Sequence, residues 1–449
     1  MMQLQYFTTI SSAGKCECKS HRAAFKPDTG IENQVVNLYP QFTDQVFEGF
    51  GGAFTDSAGY VFSRMGPAEQ RQLLDSYFSK DQMNYRLGRV PLDSCDFSVH
   101  PYEAMSDSAD RELESFSLRP MEEHILPLLH GARERQTDLE LMVSPWSPPA
   151  FMKTNGLRTS GGKLKPEMRG FWADYLCKYI MALRERGFSI RRMSLQNEPA
   201  ATQTWDSCLY TAEEERDFLK ENLGPALRRN GLDDIEIYLW DHNKERLYER
   251  ACVVCDDPEA DQLTSGFAFH WYSGDHFEAV DLVHRSFPDK KLILSEACIE
   301  YSKFSADKLL ENAQKYAHDM IGNLNAGMTA FYDWNLVLDE HGGPNYVDNF
   351  CDAPYLYDTG KGKLLRRASL DYIWHFSHFI QPGAVRIGHS RYTEQVEVTA
   401  FRNPDDRLVC VLLNQNGFQI PICLRLNGQT ASLALAPESI STVIILKAD

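Results

Sequence analysis

The chain has 449 residues, 43% hydrophobic and 12% aromatic, so it can build a large core and is not a disordered polypeptide. With 46 Lys and Arg against 63 Asp and Glu, the net charge is −17. That charge repels phosphate backbones and strongly anionic membranes, which excludes nucleic acid as a natural partner, and no apolar run reaches the length of a membrane span. The first 45 residues, with Val35-Val36-Asn37-Leu38, are expected to supply strands. Eight β-rich runs follow, at residues 46–54, 85–91, 139–144, 192–196, 235–240, 266–270, 291–295 and 328–332. Several, such as Leu292-Ile293-Leu294, are continuously apolar, as in a parallel sheet covered on both faces. Helices are predicted between them over 67–78, 166–186, 211–229 and 306–323; Pro67 and Pro166 suit a first turn, and Thr211 with Glu214 suits a capping box.

Eight such units are the arithmetic of a (β/α)8 TIM barrel, here over residues 46–382. The alternative is an open doubly wound sheet, weakened because no Gly-x-Gly-x-x-Gly follows an early strand. Residues 335–363 are rich in Gly and Pro and are read as a lid or edge hairpin over the barrel mouth. From 383 to 449 the pattern changes to strands at 391–401, 407–413, 420–426 and 439–446, an appended antiparallel β-sandwich that residues 1–45 are expected to join.

In a barrel, residues just past the C-terminal end of each strand form the active site. Here these are Asp93-Ser94-Cys95-Asp96-Phe97, Ser144-Pro145-Trp146, Asn197-Glu198-Pro199, His270-Trp271-Tyr272, Glu296 and Asp333-Trp334-Asn335. Carboxylates, aromatics and amides dominate. His270 with His242 or His276 is the nearest approach to a metal site, and no His/Cys cluster stands at ligand spacing. Gly49-Phe50-Gly51-Gly52 lies on the first barrel strand and is read as permitting close packing. Cys252-Val253-Val254-Cys255 lacks a second pair at zinc spacing and is read as structural. Two carboxylates beside an aromatic-lined pocket suit glycoside hydrolysis, which needs a proton donor for the leaving oxygen and a negative group opposite the developing oxocarbenium. Glu198 and Glu296 are the best pair, since each follows a buried strand.

Ten motifs then occur in order: Gly49-Phe50-Gly51-Gly52-Ala53, Arg89-Val90-Pro91, Ser94-Cys95-Asp96-Phe97-Ser98, Ser144-Pro145-Trp146, Lys153-Thr154-Asn155-Gly156, Asn197-Glu198-Pro199, His270-Trp271-Tyr272, Ser295-Glu296-Ala297-Cys298, Asp333-Trp334-Asn335 and Gly342-Gly343-Pro344-Asn345. From about residue 16 onward the chain resembles glycoside hydrolase family 30, and within it the members acting on glucosylceramide. The resemblance implies a retaining enzyme, with Glu198 as acid/base and Glu296 as nucleophile. It implies that Asn197 holds the sugar 2-hydroxyl, Asp96 the hydroxyls on the far edge, and that Trp146 and Trp334 line the glucose pocket. Tyr272 is expected beside the nucleophile, setting its ionisation, and His270 on the pocket wall. The charge on Glu296 is expected to raise the Glu198 pKa. Asn243 and Asn349 are expected to approach the sugar from loops, and Cys95 and Cys298 to be buried small residues.

The implied substrate is a β-glucoside, glucosylceramide first, with the chain touching a membrane surface transiently. A β-1,6-glucanase or β-xylosidase is the enzyme alternative, and a catalytically silent glycolipid-binding protein the other. No cofactor or metal is implied. Loops 106–116, 202–208 and 339–353 are expected to frame the entrance and select the aglycone, with Tyr346 and Phe350 at its edge. The chain departs from the resemblance at Cys16-Glu17-Cys18, which has no further cysteine before Cys95 to pair with. The start, Met1-Met2-Gln3-Leu4-Gln5-Tyr6-Phe7, carries no secretory signal pattern, the 11 cysteines are odd in number, and no Asn-x-Ser/Thr acceptor occurs. The expectation is a cytoplasmic chain, or a microbial one exported by a non-classical route into a host cell.

Overall fold

A computed structural model describes residues 2–12 and 15–446. Four strands open the chain: β1 (Gln3–Ser12), β2 (Lys15–Ala24), β3 (Lys26–Pro27) and β4 (Val35–Phe47). Eight parallel strands follow, β5 (Gly49–Ala53), β6 (Leu87–Leu92), β7 (Glu140–Pro145), β8 (Ser189–Ser194), β9 (Glu236–Asn243), β10 (Gly266–His270), β11 (Lys291–Glu296) and β12 (Met328–Asp333). They close into a barrel, with β12 beside β5 and β9 beside β10. A small sheet of β13 (Leu338–Asp339), β14 (Tyr355–Asp358) and β15 (Lys363–Arg366) comes next. The last six strands are β16 (Ala384–Arg391), β17 (Glu397–Arg402), β18 (Leu408–Asn414), β19 (Ile420–Leu426), β20 (Gln429–Leu435) and β21 (Ser439–Ile445); together with β1–β4 they form one ten-stranded sheet with its own apolar core.

The period-2 alternation of strands stacks the barrel interior in three layers. The middle layer is apolar and aromatic: Leu87, Met142, Tyr238, Ala268, Ile293, Ala330 and Tyr332. Two residues later on the same strands come Arg89, Ser144, His270 and Ser295, all fully buried, at the C-terminal end. Two residues earlier come Glu140, Glu236 and Lys291, which gather around Arg192 at the other end. The glycines of β5 follow the expected logic: a Cβ on Gly51 would stand 2.0 Å from the Leu87 carbonyl oxygen, so only glycine fits there.

Some boundaries differ from the sequence reading. The run 46–54 is not one strand: Val46 and Phe47 end the sandwich strand, and the chain turns at Gly49, whose φ of +143° favours glycine, into the barrel. The run 391–401 is two strands, β16 and β17, and β20 was unexpected. Its signal was the Asn427-Gly428 turn after β19, where both residues have positive φ, as in a two-residue hairpin. The helix over 211–229 forms with its capping box intact, but its middle, Leu219–Leu223, is a π turn. Pro225, which has no N–H, lies two residues beyond it. The stretch 335–363 carries the β14–β15 hairpin.

Candidate active site

Glu198 and Glu296 line one cleft at the C-terminal end of the barrel, with Asp96, Trp146, Asn197, Tyr272 and Trp334. Its floor is the polar layer above the apolar plug. Arg89 is the centre of that layer: its guanidinium donates to Glu296 at 2.6 Å, to Asp241 and the Asn197 side-chain oxygen at 2.8 Å each, and to Ser144 at 3.1 Å. It also lies 4.9 Å from the Trp146 ring and 5.4 Å from Trp334, which stack on each other at 5.4 Å. Asp241 reaches the interior because β9 is irregular there: Trp240 and Asp241 both have positive φ, and the register against β10 shifts. Glu198 also has positive φ, +46°, a strained conformation for glutamate that aims its side chain from the turn after β8.

His270, expected on the pocket wall, is fully buried behind it. Its Nε2 meets Asp241 at 3.1 Å and its Nδ1 meets Glu198 at 3.3 Å. Tyr272 stands where it was expected, its hydroxyl donating to Glu296 at 2.9 Å. Asn349 donates to Asp96 at 3.1 Å, and Gln203 donates to Glu198 at 3.4 Å. Loops 202–208 and 339–353 therefore reach the cleft, through Gln203 and Trp205 and through Asn349 and Cys351. Loop 106–116 supplies no lining residue; its Phe116 packs on Tyr175 and Tyr179 instead. Tyr346 and Phe350 also stay off the lining, and Tyr346 bonds Asp206. His276 pairs with Glu278 and joins neither His242 nor His270. Among the described residues no group of three or more potential ligands gathers around a metal position. Cys252 and Cys255 are unpaired thiols on the helix Leu247–Cys255.

The electrostatics differ from the simple expectation in one respect. Burial works to raise Glu198, but the hydrogen bond with His270, the neighbouring charges of His242 and His270 and the Gln203 amide bring it down to about 2. His270 moves the other way: burial lowers it, but the charge on Glu296 and the bonds to Asp241 and Glu198 lift it to about 9. The proton expected on Glu198 is thus held by the histidine bonded to it. Burial raises Glu296 above its usual value, against the charges of His270 and Arg89. Burial lifts Asp96 well above the carboxylate range, and the charges on Glu296 and Glu198 push it further. The cleft therefore combines a carboxylate held by two donors, a second carboxylate sharing a proton with a histidine, and a neutral acid beside an amide.

Residues 47–380 match the TIM-barrel domain of glycosyl hydrolase family 30, and residues 383–443 match that family's β-sandwich domain. The chain belongs to glycoside hydrolase family 30. Lysosomal acid glucosylceramidase of Mus musculus is 34% identical over 419 residues, 89% of this chain and 80% of that protein. An endo-1,6-β-D-glucanase of Neurospora crassa is 27% identical over 90% of this chain and 86% of its own. Among solved structures, SrfJ from Salmonella typhimurium aligns over all of both chains at 37% identity and a TM-score of 0.96, and the endo-β1,6-glucanase BT3312 at 27% and 0.88, covering 99% of this chain and 100% of its own. As a family 30 protein the chain is a glycoside hydrolase. Arg89 and Asp241 were not singled out from the sequence, although Arg89 lies in a quoted motif. Period-2 spacing from Leu87 could have placed Arg89 inside; no local signal marks the irregularity that turns Asp241 inward. No helix among the described residues is long and apolar enough to cross a membrane.

Proposed function

We propose that the chain is a retaining β-glucosidase working by double displacement, with Glu296 as nucleophile and Glu198 as acid/base. The observation that carries this is the unequal bonding of the two carboxylates. Glu296 takes hydrogen bonds from Arg89 and Tyr272, which favour its ionised form, while Glu198 shares a proton with His270. Because Arg89 occupies the Asn197 side-chain oxygen, the Asn197 amide nitrogen is left to donate to the sugar 2-hydroxyl. Neutral Asp96 both donates to and accepts from hydroxyls on the far edge.

A glucoside entering the cleft displaces water around Glu198, which disfavours its charge and draws the shared proton from His270 Nδ1 onto the carboxyl. Glu296 then attacks the anomeric carbon while Glu198 protonates the departing oxygen, leaving a glucosyl ester on Glu296. Having given its proton to the departing oxygen, Glu198 is now a carboxylate, and it takes a proton from the water that attacks the ester and frees Glu296.

Glucosylceramide is the first substrate to test, on the activity for which the mouse relative is named. β-1,6-Glucosides are the second reading, favoured by the Neurospora and BT3312 relatives. A lipid-borne substrate would bring the cleft mouth to a membrane surface transiently. The unpaired thiols favour a reducing compartment, the cytoplasm or one reached by non-classical export. The test is product analysis with glucosylceramide in mixed micelles beside gentiobiose and an aryl β-xyloside. Release of glucose and ceramide is expected; turnover of gentiobiose alone would move the assignment to a β-1,6-glucanase.

A further inference from the structure

Cys298 lies two residues beyond Glu296, and Cys351 two residues beyond Asn349. Both border the cleft although each is almost wholly buried. The segments that carry them pair as a short antiparallel ladder. Glu300 bridges Cys351, the Tyr301 amide donates to the Phe350 carbonyl at 2.9 Å, and the Asp352 amide donates to the Ile299 carbonyl at 2.8 Å. Alternate side chains on such a ladder share a face, so Cys298 sits with Glu300 and is the diagonal neighbour of Cys351. The two cysteines belong to one buried cluster of side chains. The Tyr272 hydroxyl stands 3.4 Å from the Cys298 sulfur and also donates to Glu296. A line of contacts thus runs Cys351–Cys298–Tyr272–Glu296, and the glycosidase chemistry uses neither sulfur.

We propose that Cys298 and Cys351 are a thiol-modification site, in which a low-molecular-weight disulfide such as oxidised glutathione converts the pair to a cystine bridge that stops hydrolysis. The Cys351 thiolate attacks one sulfur of the small disulfide and expels one small thiolate, leaving a mixed disulfide on Cys351. Cys298 loses its proton to solvent, attacks the Cys351 sulfur and expels the second small thiolate. Two protein thiols are oxidised and one small disulfide is reduced to two thiols. Cys351 attacks first because the neighbouring Cys298 thiol favours its thiolate, although burial leaves it above the usual thiol value; burial puts Cys298 well above.

Diagonal neighbours on a ladder stand farther apart than bridged cysteines do, so the bridge must draw the two segments together. The segments that move carry Glu296 and Asn349, and Asn349 holds Asp96. Loss of activity on bridging therefore rests on the proposed roles of these residues, whereas bridge formation does not.

The test is incubation of the full chain with oxidised glutathione. It is read by non-reducing peptide mapping in a mass spectrometer and by hydrolysis of an aryl β-glucoside. The expected result is a Cys298–Cys351 cross-linked peptide lacking the two thiol hydrogens, with activity falling about 100-fold in step, the scale of an ångström-sized misplacement at a catalytic centre. Dithiothreitol restores both. Cys351→Val and Cys298→Ala, each measured against its own untreated activity, gain no cross-link and no sensitivity. Glutathione attached at other cysteines with no such cross-link overturns the site. A cross-link that leaves turnover unchanged overturns the switch, as does a Cys351→Val protein that loses activity like the wild type. An untreated protein that hydrolyses no β-glucoside sinks the functional reading instead, and the peptide map still decides the bridge.

Discussion

The two ends of the barrel interior each hold an arginine among carboxylates, yet they are built differently. At the N-terminal end, Arg192 meets Glu48, Glu140 and Glu236 at 3.3–3.4 Å, and Lys291 joins Glu48 and Glu236 at 2.6 and 2.9 Å. These carboxylates reach water, with side-chain exposures of 16–43%, and none of these residues has positive φ. At the C-terminal end Arg89 and Asp241 are wholly enclosed, Asp241 and Glu198 have positive φ, and more acids crowd together than the cations beside them can neutralise. The lower cluster sits at the barrel's end with its carboxylates partly exposed. The upper one keeps charge in tension, and proton affinity there is displaced in both directions, which is what acid–base chemistry needs. The sequence supplies the same residue types to both; enclosure and strain separate their uses.

Substituting the carboxylates breaks this contrast most sharply. Glu296→Gln is expected to lower kcat about 10⁴-fold or more, and Glu198→Gln about 10²–10⁴-fold, measured with an aryl β-glucoside. Azide should restore turnover to Glu198→Gln and yield the β-glucosyl azide; an α product would reverse the assigned roles.

The arginines compare the two ends directly. Arg89→Met leaves enclosed carboxylates unpaired and is expected to reduce stability by about 3–5 kcal/mol in urea melts, with activity lost in the folded fraction. Arg192→Met, whose partners reach water, should cost about 1–3 kcal/mol and leave turnover per folded molecule within a few-fold. Equal loss of turnover in both would erase the distinction.

The pH profile sharpens the account of the upper cluster. The proton of the Glu198–His270 pair is retained below about 9 and lost above it, so kcat/KM is expected to fall as pH rises through that value. The stabilising charge on His270 disappears over the same alkaline range, because its affinity is raised in the folded state. On the acidic side, activity falls as Glu296 takes a proton, at a higher pH than an ordinary glutamate does. His270→Asn leaves Glu198 as the sole proton holder and should move the alkaline limb to lower pH; an unmoved limb would detach His270 from the proton. Tyr272→Phe should have a smaller effect than either carboxylate substitution, about 10–100-fold in kcat, by removing one hydrogen bond to a charged group. The acidic limb should then shift upward, because Glu296 loses a donor that favours its ionised form.

The barrel, the sandwich and the position of the two glutamates at one cleft were legible because each is marked locally. Apolar runs of strand length recur eight times, the helical pattern stops near residue 383, and Asn-Glu-Pro and Ser-Glu-Ala-Cys each follow such a run. Tyr272 was also placed near Glu296 through its motif, whereas the bond from Asn349 to Asp96 was not foreseen. The β20 hairpin was missed although Asn427-Gly428 signals it, and the β4–β5 junction was misread because Val46 to Phe54 reads as one apolar run broken only by Glu48. Sequence alone thus determined the layers, since alternation along a strand makes Arg89 inward-facing once Leu87 is. Only barrel closure decided that Arg89 would meet Asp241, 152 positions away, and that His270 would stand behind Glu198. Such neighbours are set by which strands close on each other and by the irregularity of β9, and neither leaves a trace in short-range spacing.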